Sequence, residues 1–165
     1  MPALPIVLIG PMGVGKTTIG KKLAKRLSLE FVDTDALIAE AHGDIPKIFD
    51  VEGETVFRDY EEQALRNAIS KVRVIATGGG AVLSGTNQRI LEKAIVIYLS
   101  TNGLHMKSRL ENGNRPLLKN GISDWKAIYE DRKPLYERLA TFEIDTSAAG
   151  LGKTLDDICE KLEAL

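Results

Sequence analysis

Gly10 to Thr17 reads G-P-M-G-V-G-K-T, a stretch framed by glycine that ends in a lysine and a hydroxyl. Each residue type has a task toward a polyphosphate. Glycine lets the backbone wrap closely, so that the N–H groups along Gly13, Val14, Gly15, Lys16, Thr17 and Thr18 can donate to one anion. A helix opening at Lys16–Thr17 adds its positive dipole end. Lys16 would reach the β- and γ-phosphates, and the Thr17 hydroxyl would ligate Mg²⁺. Four apolar residues precede the stretch and an amphipathic helix follows it, the context required of the phosphate-binding P-loop G-x-x-x-x-G-K-[ST]. A nucleoside-triphosphate site with Mg²⁺ as its ion follows. What receives the phosphate has to come from elsewhere.

Asp33 and Asp35 are two residues apart and on an extended backbone would point to the same side. Beside a bound triphosphate, Asp33 would serve Mg²⁺ through water, and Asp35 would bind an acceptor hydroxyl and take its proton. The bland alternative is a pair of turn-forming aspartates. Gly78-Gly79-Gly80 would bring backbone N–H groups close to a ligand. Arg58, Glu61 and Glu62 stand at i, i+3 and i+4. They are either a surface ion-pair set or a half-buried guanidinium braced by Glu61 for a substrate carboxylate. Trp125, Ile128, Arg132 and Leu135 follow helical spacing, which puts Arg132 on an inward stripe. A guanidinium there needs an anion partner, unless it snorkels. Pro134 should kink or end that helix. Arg115 precedes Pro116 in an irregular segment, about 111–122, and would project from a lid whose closure excludes water. His42 and His105 have no partners at metal-ligand spacing and read as surface residues.

The elements that must position these groups alternate between strand and helix. Strands are predicted at Ile6–Ile9, Phe31–Asp35, Val72–Thr77, Ala94–Leu99 and Phe142–Asp145. Helices are predicted after the P-loop and at Ala36–Ala41, Glu54–Ser70, Gln88–Lys93, Leu104–Leu110, Asp124–Leu139 and Thr154–Leu165, with a short helix after Asp44. This is an α/β pattern with a parallel sheet. Ligands in such sheets bind beyond the carboxyl ends of the strands, so the P-loop, Asp33–Asp35 and the triple glycine share one rim. At 165 residues and 44% hydrophobic, one compact domain, 1–165, is expected. A net charge of −1 without basic stripes interleaved with aromatics argues against nucleic acid. No apolar run reaches membrane-spanning length, and the first strand begins too early for a leader. Cys159 is the sole cysteine; a soluble cytoplasmic protein is the simplest inference.

The ordered set LIGPMGVGKTTIG, FVDTD, IFDVEGETVFRDYE, ATGGGAV, RPLL and RKPLYERLA resembles the shikimate kinase family. The resemblance runs over nearly the whole chain. It implies the P-loop NTPase fold of nucleoside monophosphate kinases: a three-layer α/β/α sandwich on a five-stranded parallel sheet, order 2-3-1-4-5. It implies transfer of the ATP γ-phosphate to the 3-hydroxyl of shikimate, on the way to chorismate and the aromatic amino acids, by a monomer. Asp35 would bind the shikimate hydroxyls, while Arg58, Arg132 and the Gly80 amide would hold its carboxylate. About 33–62 would form the substrate-binding segment. Gly79 would lie near the γ-phosphate, Arg115 would be the lid arginine, and Arg109 would flank the adenine. Ser147-Ala148-Ala149 stand where some members carry an arginine, which sets the adenine contacts apart. A gluconate-type kinase is the alternative, and a nucleotide-binding module without catalysis is the non-enzymatic one.

Overall fold

A computed structural model describes residues 2–111 and 117–165. Among these, five strands form one parallel sheet: β1 (Ile6–Ile9), β2 (Phe31–Asp33), β3 (Val74–Ala76), β4 (Ile95–Ser100) and β5 (Phe142–Asp145). Their order is β2-β3-β1-β4-β5, as the resemblance implies. The central register pairs Ile6 with Val74 on one side and with Ile95 on the other. The helices are α1 (Lys16–Leu27), α2 (Thr34–His42), α3 (Ile45–Val51), α4 (Glu54–Ala68), α5 (Gly85–Leu91), α6 (Met106–Glu111), α7 (Ile122–Leu139) and α8 (Leu151–Glu163).

Both faces of the sheet are covered, so its inner strands are apolar at every position rather than alternately. Along β1, Ile6 and Leu8 pack with Ile19 and Leu23 of α1 and with Leu155 and Ile158 of α8. Val7 and Ile9 point the other way, toward Leu65 of α4, Leu91 of α5 and Trp125, Tyr129 and Tyr136 of α7. A third, smaller cluster joins Ile38 of α2, Ile48 of α3 and Phe57 and Ala64 of α4. The apolar stripe of α4 is thus divided: Phe57 and Ala64 pack into the small cluster, and Leu65 and Ala68 pack against the sheet.

Element boundaries differ from the expected ones at several points, as where β3 spans only Val74–Ala76 and α8 opens at Leu151, and three of the differences have a local cause. β2 stops at Asp33, whose side chain accepts from Asp35 N and Ala36 N and caps α2. Asp33 and Asp35 therefore do not share an extended backbone, because N-capping has taken the chain into a helix two residues early. α5 opens at Gly85, where the Ser84 side chain accepts from Asn87 N. Pro134 does not end α7, which runs on to Leu139. Proline removes the bond to the Glu130 carbonyl, and both residues lie on the exposed face, where water can take the bond's place.

Candidate active site

The P-loop links β1 to α1 and depends on glycine at specific points. Gly10 has φ +147°, and a Cβ there would sit 2.5 Å from the Leu99 carbonyl oxygen of β4. Gly15, at φ +103°, is the N-cap of α1 and supplies no capping side chain. The first-turn N–H groups of α1 are thus presented to a ligand. Lys16 is buried and lies back over its own loop, donating from Nζ to the carbonyls of Gly10 at 2.6 Å and Pro11 at 2.9 Å. Phosphate oxygens entering the loop would exchange with these carbonyls.

Thr17 Oγ1 donates to Asp33 Oδ2 at 2.6 Å, while Asp33 Oδ1 is held by the α2 amides at 2.9 and 3.3 Å. Two hard oxygens therefore meet beside the phosphate loop. Mg²⁺ takes few protein ligands of this kind, keeping water and phosphate oxygen for the rest, so the donor set fits the ion. Arg109 of α6 donates to the Gly13 carbonyl at 3.0 Å, from the far side of the loop. The cleft over the loop has a volume of about 600 Å³ and extends from Asp33 and Asp35 to Arg109, Thr146 and Ala149. Beyond Arg109 it adjoins a polar recess of about 260 Å³ edged by Asn102, His105 and Ser147. His105 is exposed there, and His42 is exposed and stacks on Tyr60 at 3.6 Å.

A second, smaller cavity of about 150 Å³ lies beside the triple-glycine turn. Its polar lining is Asp35, Arg58, Glu61 and Arg132, and its apolar wall includes Ile45, Phe49 and Phe57. Arg58 pairs with the buried Glu61 at 3.1 Å and with Glu54 at 3.0 Å. Glu62 turns instead to the Ser84 hydroxyl. The braced-guanidinium reading thus describes Arg58 better than the surface-pair reading. Arg132 is 6% exposed, on the inward face of α7 as its spacing predicts. Burial pushes the Glu61 carboxyl up to about 7; Arg58 opposes that rise, and the nearby Asp35 carboxylate adds to it. The charged groups close in on the glycine turn. A Cβ on Gly78 would lie 2.9 Å from Asp35 Oδ1, one on Gly79 3.4 Å from Arg132 Nη1, and one on Gly80 would overlap the Arg58 guanidinium.

Met12, Asp35, Gly78 and Gly79 line both the cleft and the cavity. A terminal phosphate in one would therefore be adjacent to a small polar ligand in the other. The structure brings together every proposed site residue on its described part. Arg115, and with it most of the expected lid, lies outside the described residues. Two contacts had no counterpart in the sequence reading: Trp125 Nε1 donates to the Met12 carbonyl at 2.8 Å, and Tyr136 Oη donates to the Gly79 carbonyl at 2.6 Å. The available signal was that both rings lie on the inward stripe of α7, where a buried indole or phenol must find a partner.

Comparison with known proteins identifies relatives along nearly the whole chain. The family model described as shikimate kinase matches residues 12–163. The shikimate kinase of Actinobacillus pleuropneumoniae serotype 5b is 42% identical, over 97% of this chain and 96% of its own length. That of Rhodococcus erythropolis is 41% identical, over 95% and 96%. Among solved structures, the Acinetobacter baumannii shikimate kinase in complex with shikimate superposes with a TM-score of 0.91 at 36% identity, covering 98% of this chain and 94% of that one.

Proposed function

We propose a division of labour for a chain that belongs to the shikimate kinase family and phosphorylates an alcohol group of shikimate from ATP. The acceptor atom is the 3-hydroxyl and the product is shikimate 3-phosphate. The observation that carries this reading is the cavity in which Arg58, Arg132 and Asp35 converge, sharing Gly78 and Gly79 with the phosphate cleft.

ATP lies along the cleft with its phosphates on the amides of Gly13 to Thr18, its terminal phosphate near Gly79 and its base beside Arg109. Lys16 leaves the Gly10 and Pro11 carbonyls to neutralise the β- and γ-phosphate oxygens. Thr17, and Asp33 through water, would hold Mg²⁺, and the ion would spread the charge of the β- and γ-phosphates. Shikimate enters the cavity with its carboxylate on Arg58, Arg132 and the Gly80 amide. Each charge-assisted bond is worth about 1.5–3 kcal/mol, which selects an anionic acceptor over a neutral sugar. Asp35 accepts from the substrate hydroxyls, orients the 3-hydroxyl in line with the γ-phosphorus and takes its proton as that oxygen bonds to phosphorus and the γ-phosphorus bond to the ADP oxygen breaks. Glu61 holds Arg58 at 3.1 Å between turnovers. Arg115 supplies positive charge to the transferring phosphoryl group. The chain acts as one domain, a monomer, in the cytoplasm.

The test is ADP release, measured with shikimate, quinate and gluconate offered separately. Turnover should be strongly selective for shikimate and absent with gluconate. Comparable turnover of gluconate would reject the acceptor assignment.

A further inference from the structure

The long helix α7 reaches both halves of the site through a hydroxyl and an indole donor. Tyr136 Oη holds the Gly79 carbonyl at 2.6 Å, and Trp125 Nε1 holds the Met12 carbonyl at 2.8 Å. Both side chains are buried, at 1% and 3% exposure, and neither lines the cleft or the cavity. No described peptide bond is cis. In a planar trans peptide the carbonyl and the next residue's N–H point in opposite directions. Fixing Gly79 C=O on Tyr136 therefore turns Gly80 N–H away from Tyr136, and fixing Met12 C=O on Trp125 does the same for Gly13 N–H. Neither N–H donates to an acceptor among the described residues, whereas Gly80 lines the acceptor cavity and Gly13 the phosphate cleft.

We infer that Tyr136 and Trp125 are positioning residues, with Tyr136 aiming the Gly80 amide at the acceptor's carboxylate and Trp125 aiming the Gly13 amide at the phosphates. This rests on the acceptor reading given above. Glycine is where such anchoring is needed, because a glycine peptide has several orientations of similar energy. An amide donor helps only when it is already pointing at the anion. The helix itself is held in place independently: Tyr129 Oη and Tyr98 Oη of β4 are 2.5 Å apart, between the two anchors. One rigid element thus sets an amide on each side of the transfer.

The experiment compares the intact enzyme with Tyr136→Phe and Trp125→Phe. Melting temperatures confirm that each variant is folded, and KM is measured for each substrate with the other saturating. Tyr136→Phe should raise the shikimate KM about tenfold, the equivalent of one misdirected charge-assisted hydrogen bond, with ATP KM and kcat within about twofold. Trp125→Phe should show the reverse preference, raising ATP KM. The Gly80 amide proton should move downfield on shikimate addition in the wild type and much less in Tyr136→Phe. Equal losses for both substrates in both variants, or an unchanged Gly80 shift, would reduce the two rings to packing and overturn the inference. If Arg58→Ala raises the shikimate KM while Tyr136→Phe does not, this inference fails and the acceptor reading stands. If the wild type does not use shikimate, the acceptor reading itself fails.

Discussion

The two halves of the site are built in opposite ways. The core of the donor half is one continuous stretch, Gly10 to Thr18, built on backbone amides, one lysine and the Thr17 hydroxyl, with Asp33 and Arg109 at its edges. The acceptor half draws Asp35 from α2, Arg58 and Glu61 from α4, the turn after β3, and Arg132 from α7. The cleft is about 600 Å³ and the cavity about 150 Å³. A backbone-built site recognises charge and polyphosphate shape wherever the loop forms. A site built from side chains on separate elements recognises one small molecule, and it exists only after the chain has folded around it. Its charges also need each other: two guanidiniums and two carboxylates crowd one glycine turn, an arrangement that stays stable while each charge keeps a partner.

The sharpest way to separate the halves is Asp35→Asn. Loss of the acceptor-orienting carboxylate should lower kcat by roughly 10²–10⁴-fold, while calorimetry finds ATP affinity unchanged. A matching loss of ATP affinity would show that the halves are not separable. Arg58→Ala should raise the shikimate KM about 10–100-fold. It should also lower the melting temperature, because Glu61 is left buried without that partner. An unchanged KM would return Arg58 to a helix ion pair. On the donor side, Arg109→Ala should raise ATP KM about 3–10-fold and leave shikimate KM alone; a shift in shikimate KM instead would move Arg109 across the divide.

The smallest effect is a pH dependence confined to the acceptor half. Glu61 titrates near 7 in the folded chain against an ordinary value of 4.5. The folded state therefore holds the proton more tightly. The stability this provides is fully present below about pH 4.5 and is lost as pH rises through about 7. Glu61→Gln should remove that slope, so the variant gains on the wild type in denaturant melts as pH rises across this window. Parallel curves would show that Glu61 is ionised throughout.

The opposite construction of the halves also explains what could be read without a structure. The P-loop is legible because its physics is local: glycine positions, a lysine and a hydroxyl at fixed offsets. Arg132 was legible because helical periodicity places it inward among Trp125 and Leu135. Asp33 and Asp35 were found as residues and misjudged as geometry, since capping of α2 by Asp33 competes with strand extension and the local pattern permits both. The anchors Tyr136–Gly79 and Trp125–Met12 join residues 57 and 113 positions apart. No spacing rule reaches that far. The apolar wall of the cavity, Ile45 and Phe49 included, likewise depends on how α3 settles on α4.

The divided stripe of α4 has a consequence for motion. Ile38, Ile48, Phe57 and Ala64 form a core of their own, set apart from the sheet, and a small core opens at lower free energy than a large one. In native-state hydrogen exchange, the amides of α3 and the first half of α4 should open together, ahead of those near Leu65 and Ala68. Arg58 stands on the part that opens. Shikimate should therefore slow exchange there while ATP alone leaves it unchanged, so that occupancy of the small cavity is recorded as the rigidity of a whole subunit of the fold.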